Sequence, residues 1–263
     1  MKLAVGLMGN AHGIGAKLAS ADLDVVARRD VPGEPAPPAD ARVVQGERSF
    51  FDQLEFPRRI VLDLPAGPLV DDVLEAVYQW LEPGDVVIDV TGSYWVDTLR
   101  RFRRMRHRSI YHVDMAFIGS MNAERLLVAG DAEGVELAVP VLHKLVPQDR
   151  LVRCGHAGTA HYAQGLGDSV AAVASQARGE LRQMLEALPL EIDVSGVLNA
   201  LIPERAPVDG RAAWVLDDAI RLEAAIPLLA QAVMLDRVEQ LEQHITPHAL
   251  PRVGPYQPPD EIL

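Results

Sequence analysis

Four glycines, Gly6, Gly9, Gly13 and Gly15, stand between an apolar run at residues 2–6 and a second one at residues 23–27. Glycines so placed let the chain turn tightly, and they let an anion approach backbone N–H groups at the start of a helix, where the helix dipole also favours negative charge. The chemistry this suits is the holding of a dinucleotide pyrophosphate. Gly6, Met8, Gly9, Asn10 and Ala11 are the residues expected at that contact. The second apolar run ends in Arg28 and Arg29. A cofactor without the extra phosphate usually meets a carboxylate here, against its ribose 2′-hydroxyl, so two arginines favour NADP over NAD. In a slightly shifted register Asp30 becomes the ribose partner instead, and NAD the cofactor.

Elements able to hold such a turn follow in alternation. Apolar runs at 58–65, 85–90, 109–115 and 126–131 alternate with helical patterns over 70–81, 96–105 and 133–145. That order predicts an α/β Rossmann-like, doubly wound parallel sheet with helices on both faces. From about residue 157 the pattern changes, and apolar residues recur at helical spacing over 170–188 and 211–243. An all-α C-terminal domain is expected, giving a nucleotide-binding domain over 1–152 and a helical substrate and dimerisation domain over 153–263. Apolar segments of that length predict a homodimer built by the helical half, with Trp214 and Ile220 in or near its core. The proline-rich tail from Pro251 is expected to lie extended or disordered. The basic run at 100–108 reads as the solvated face of a helix.

Composition narrows the partners. A chain of 263 residues, 49% hydrophobic, has room for two cores of ordinary size. Its net charge of −12 argues against nucleic acid and anionic membrane surfaces. One cysteine, Cys154, excludes an internal disulfide and suits the cytoplasm. The apolar run at the amino end is too short for a secretory signal, and no other run approaches a membrane span. Histidines 107, 112, 143, 156, 244 and 248 show no spacing that gathers ligands, so no metal site is expected.

Six segments then follow in a telling order: LDLPAG (62–67), LEPGDVVIDVTGSYWVDTLRR (81–101), YHVDMAFIGS (111–120), LLVAGD (126–131), CGHAGTAHYAQ (154–164) and DGRAAWVLDDAI (209–220). Over residues 1–240 this resembles the 6-phosphogluconate dehydrogenases and the wider β-hydroxyacid dehydrogenase superfamily. The resemblance implies an NADP-dependent oxidoreductase. It places Leu64, Pro65, Ala66, Thr91 and Gly92 along the cofactor, and Ser93, Gly119 and Ser120 at the substrate. Gly92 stands where the family has the asparagine of its G-N-S motif. The family's catalytic lysine aligns with Gln164, and its asparagine with Asp168.

The lysine exchanges a proton with the substrate hydroxyl while hydride moves, which needs a group that titrates. Glutamine does not, and residues 145–263 contain no lysine. The resemblance therefore implies a divergent member acting on a small carbonyl, imine or hydroxy compound other than 6-phosphogluconate. His161 and Asp168, three residues before and four after Gln164, share its helix face and are the candidate proton carriers. Gln164 would orient the substrate. The imine-reducing relatives also lack the lysine, which suits a reductive role. Loss of turnover, leaving a nucleotide-binding sensor or interaction module, is the alternative. A second frame, the G-x-x-x-G-x-G turn of short-chain dehydrogenases, lacks its Tyr-x-x-x-Lys pair, because Pro140 precedes Lys144 by four. That frame also leaves only residues 14–21 for the crossover helix.

Overall fold

A computed structural model describes residues 2–28, 36–119, 124–203 and 210–244. Arg29, Asp30, Ser120 and the proline-rich tail lie outside the described residues. Eight strands form one sheet: β1 (Ala4–Met8), β2 (Asp24–Arg28), β3 (Arg42–Val44), β4 (Arg59–Leu62), β5 (Val86–Asp89), β6 (Tyr111–Ile118), β7 (Arg125–Ala129) and β8 (Leu151–Arg153), in the order β3-β2-β1-β4-β5-β6-β7-β8. All neighbours pair in parallel except β6 and β7, which run antiparallel with Asp114 opposite Ala129. The strand order reverses between β1 and β4. In open sheets of this kind the crevice beyond the carboxyl ends of the strands at that point takes the ligand.

Alternation along each strand divides the core between the two faces. Val5 and Leu7 of β1, Val61 of β4, Val86 and Ile88 of β5 and Val113 and Met115 of β6 face a cluster completed by α1 (Ile14–Ser20) and α5 (Ala132–Leu145). Met8, Ile60, Leu62 and Val87 face the opposite cluster, closed by α2 (Glu47–Phe51), α3 (Pro68–Val77) and α4 (Trp95–Arg106). On that second face the last residue of β5 is Asp89, and His112 and Asp114 follow the same alternation on β6. All three are buried.

Four helices complete the described chain: α6 (Thr159–Glu186), α7 (Val194–Leu201), α8 (Arg211–Arg221) and α9 (Pro227–His244). The chain divides into two compact units. The first holds residues 1–168 with 209–215, and the second holds 169–208 with 216–263. The expected boundary at 152/153 falls inside the first of these. Within the second unit, Asp193 caps α7 by accepting from Gly196 N at 2.9 Å, and Arg178 of α6 donates to Asn199 Oδ1 at 2.8 Å.

Several local expectations change. Three short elements, β3, α2 and β8, were not legible as periodic segments, being only three to five residues long. The helical pattern over 211–243 is two helices, broken at 222–226. The first strand extends to Met8, which puts Gly6 inside it, where a Cβ would run into the Phe50 ring. Gly6 therefore serves packing between β1 and α2. The crossover helix α1 is seven residues long and begins after Gly13. Its shortness thus gives no ground against a turn running from Gly9 to Gly13, although the Tyr-x-x-x-Lys pair of the short-chain enzymes is still missing.

Candidate functional site

Two clusters of polar side chains lie at the carboxyl edge of the parallel strands, both within the first unit. The first surrounds the turn after β1. Gly9 and Gly13 take left-handed backbone angles, φ 80° and 72°, which side-chain-bearing residues rarely adopt. Asn10 ties the turn to its surroundings, accepting from Gly15 N at 3.1 Å and donating to Ala36 O at 3.1 Å. Ala11 N donates to Asp63 O at 3.0 Å, and Asp63 N donates to Met8 O at 2.9 Å. The Asp63 carboxylate, fully buried, accepts from His12 N at 2.9 Å, His12 Nδ1 at 2.7 Å and Ile14 N at 3.0 Å. At the end of β2, Arg28 is 8% exposed, with Glu47 3.4 Å from its Nη2.

The second cluster links β5, β6, α4 and the start of α6. Asp114, in the middle of β6, accepts from Gly158 N at 2.7 Å with one oxygen and from Ala160 N and His161 N at 2.9 and 3.2 Å with the other. A carboxylate from a neighbouring strand thus caps the amino end of α6 and serves donors that have no partner within the helix. Burial pushes the Asp114 carboxyl above its ordinary range, against the pull of His161 and the backbone N–H groups. At Asp89 burial acts in the same direction, but His161, His112 and Thr91 override it and hold this carboxyl well below the usual range. Thr91 donates to Asp89 Oδ1 from both its N–H, at 2.9 Å, and its hydroxyl, at 2.6 Å. His112 Nε2 lies 3.2 Å from Asp89 Oδ2.

His161 is sealed into this layer. It is 2% exposed, with Nδ1 2.8 Å from the Thr98 hydroxyl and Nε2 3.1 Å from the Asp89 carbonyl. A carbonyl only accepts, so Nε2 carries a proton. Both ring nitrogens are thereby committed inside the protein, and the placement suits a residue that pins α6 to β5 and α4. One turn further along α6, the Gln164 Oε1 atom is buried with no hydrogen-bond partner among the described residues. It lies 3.3 Å from the point where a Cβ on Gly92 would stand, and the same Cβ would collide with the Arg211 guanidinium. Gly92, at φ 60°, therefore makes room for both side chains. Asp168, the next residue on that face, accepts from Arg211 Nε at 2.7 Å.

Other expected residues are distributed as follows. Leu64 is fully buried under α3, whereas Pro65 and Ala66 are exposed. Ser93 is 2% exposed, bonded to the Thr91 hydroxyl at 2.6 Å and to Arg101 Nη1 at 2.8 Å, so its hydroxyl is spent on internal bonds. Gly119 is exposed at the end of β6 with φ 103°. Tyr162 packs its ring on Trp95, and Trp214 packs on Tyr94. Sequence reasoning missed Arg101, read as part of a solvated face. It is 3% exposed and grips Asp71 through Nε and Nη2, both at 3.0 Å. A signal was present: Thr98, Arg101 and Met105 follow the i, i+3, i+7 spacing of one inward face. Among the described residues no three His, Cys, Asp or Glu are grouped to hold a metal ion, and no helix is long and apolar enough to cross a membrane.

Residues 3–155 match the family model described as the NAD binding domain of 6-phosphogluconate dehydrogenase. YqeC of Bacillus subtilis is 23% identical over 218 residues, covering 72% of this chain and 73% of that one. The NAD(+)-dependent, decarboxylating 6-phosphogluconate dehydrogenase of the same bacterium is 32% identical over 103 residues, 38% of this chain but only 22% of that enzyme. In fold, a 3-hydroxyisobutyrate dehydrogenase of Mycobacterium tuberculosis superposes with a TM-score of 0.73 at 18% identity, covering 92% of this chain and 95% of that chain. A Plasmodium falciparum 6-phosphogluconate dehydrogenase gives 0.74 at 14% identity, covering 92% and 63%.

The Asp71 pair makes a prediction about acid stability. Burial raises this carboxyl, but hydrogen bonds from Arg101 and Arg100 outweigh it and lower its pKa from 3.8 to about 2. A depressed folded-state pKa contributes stability that is complete above the unfolded value and lost as pH falls through the folded one. Asp71→Asn is thus expected to be less stable than wild type near neutral pH and to decline less between pH 3.8 and about 2. Urea unfolding of both proteins across that range checks it; parallel curves would remove Asp71 from the acid response.

Proposed function

From the premise that the chain belongs to the family of the NAD binding domain of 6-phosphogluconate dehydrogenase, we propose an NADP-dependent oxidoreductase of a small carbonyl, imine or hydroxy compound other than 6-phosphogluconate. The observation that carries the substrate side of this reading is Gln164 Oε1, a buried acceptor without a donor among the described residues, set over Gly92 beside Arg211. An acceptor in that position suits a substrate that brings its own donor, a hydroxyl or an amine, and a missing donor there leaves a desolvated oxygen at a cost of about 1–3 kcal/mol. The nicotinamide, when bound, supplies or takes the hydride.

The residues of the turn suit a dinucleotide in the course of the backbone: Gly9 turns, Gly15 admits close packing of α1 on Leu7, and Arg28 ends β2 where the 2′-phosphate of NADP would need a cation. In the second cluster, Gln164 orients the substrate by accepting its hydrogen bond. Asp168, one turn along the same face and held by Arg211, exchanges the proton. His161 is assigned to positioning, since both its nitrogens are already bonded. Asp168→Asn is expected to lower kcat roughly 10²–10⁴-fold with cofactor affinity little changed. Gln164→Ala should raise KM more than it lowers kcat, as a neutral amide supplies orientation and no proton. A screen of carbonyls and imines by NADPH consumption identifies the reaction, and an intact rate in Asp168→Asn would eliminate the assignment.

Cofactor choice is tested separately. Arg28→Ala combined with Arg29→Ala should weaken NADPH and spare NADH, because a charge-assisted bond to the 2′-phosphate is lost. Equal losses in a fluorescence titration of the two cofactors would sink the preference. A homodimer is proposed as well, supported by large apolar side chains that the single chain leaves open: Ile220 is 70% exposed, Leu222 69% and Leu228 65%. Sedimentation at micromolar concentration is expected to give twice the chain mass, and a monomer would overturn the proposal.

A further inference from the structure

The turn after β1 departs from a glycine-rich fingerprint in a specific way. In G-x-G-x-x-G the last glycine allows close packing of helix on strand, and the middle one lets the pyrophosphate reach the backbone. Gly15 fills the last role here: a Cβ on it would stand 2.8 Å from Leu7 Cδ2 and 2.8 Å from Asn10 Oδ1. Counting back three and five residues puts His12 and Asn10 in the places of the middle and first glycines. The point of approach thus carries an imidazole, and the donors around it are already served. His12 N and Ile14 N donate to the Asp63 carboxylate, Gly15 N to Asn10 Oδ1, and Gly13 N to Asn10 O at 3.2 Å.

We propose that the Asp63 carboxylate is a built-in occupant of the turn's diphosphate position and that, together with His12, it sets how tightly this protein holds a dinucleotide. The inference rests on the reading that the chain binds NADP or NAD. Asp63 is fully buried, and its two oxygens use the backbone N–H groups that a diphosphate would use. A second anion brought to the same donors meets the like charge of a carboxylate that is itself fully buried, beside a His12 side chain that is 40% exposed, and that repulsion is unfavourable. Binding a diphosphate therefore requires Asp63 to give up these bonds. The 2.7 Å bond from His12 Nδ1 opposes that release, since it adds a third donor to the same carboxylate. Asp63 and His12 set the affinity for a dinucleotide through the turn.

Two variants test this, each first checked for folding by far-UV circular dichroism and thermal unfolding. Asp63→Asn removes the competing charge, and His12→Gly removes the side chain at the approach and the third bond. Calorimetric titration with NADPH, NADH, ADP-ribose and AMP reads the result. Both variants should bind NADPH, NADH and ADP-ribose about tenfold more tightly or better, with AMP, which lacks the diphosphate, unchanged. If Asp63→Asn does not fold, His12→Gly decides alone. Wild-type binding of NADPH with equal or weaker binding by the folded variants would overturn the inference and leave the functional reading intact. A gain that extends to AMP would also overturn it. Failure of wild type and both variants to bind any dinucleotide would instead overturn the functional reading beneath it.

Discussion

The hydrogen bonds from the amino end of α6 to Asp114 fix the rest of the second cluster. Three backbone N–H groups converge on one buried carboxylate, and that carboxylate sits on β6, the strand next to β5. The start of α6 is thereby held in register with the carboxyl end of β5. From there the helix itself sets the remaining positions: His161 is in the first turn, Gln164 in the next and Asp168 in the one after. Were the cap lost, the helix end would keep donors with no partner in a dry interior, and each such group is costly.

A dense layer of charge in that interior is tolerable only because each member has a partner of the other sign or a fixed donor. Asp89 is balanced by two histidines and Thr91, Asp71 by two arginines, and Asp168 by Arg211. The layer also runs without a break from Asp71 through Arg101, Ser93 and Thr91 to Asp89 and its neighbour His161. It joins α3, α4, β5 and α6 through side chains and the Asp89 carbonyl. Hydrogen bonding within it is incomplete among the described residues: Asp89 Oδ2, both ring nitrogens of His112 and Gln164 Oε1 are buried without a hydrogen-bond partner, and each such group is a departure from the usual pairing of buried polar atoms.

Much of the fold was legible because β1 and β5 are unbroken apolar runs, α3 and α5 carry a 3.6-residue period, and strand and helix alternate. What escaped notice is short or depends on contacts across the sequence. β3 has three residues, and its existence follows from pairing with β2. The antiparallel course of β7 leaves no mark in its composition, since a buried strand reads alike in either direction. At the site, the helical face shared by His161, Gln164 and Asp168 could be read from spacing, but their separate fates could not. Those depend on Thr98, Gly92 and Arg211, which lie far away in the chain. The role of Asp63 was hidden for the same reason, as it sits 49 residues from Ile14.

Residues 209–215, which carry Arg211 and Trp214, belong with the first unit although residues 169–208 of the second unit precede them in sequence. The order of synthesis then matters. On the ribosome, Asp168 emerges long before its guanidinium, and Gly92 longer still before the side chain that its missing Cβ accommodates. The nucleotide turn can form early and alone, whereas the packing of Arg211 over Gly92 waits until about four-fifths of the chain has appeared. A nascent protein of this design would have its nucleotide turn for some time before Gln164 and Asp168 met the Arg211 side chain.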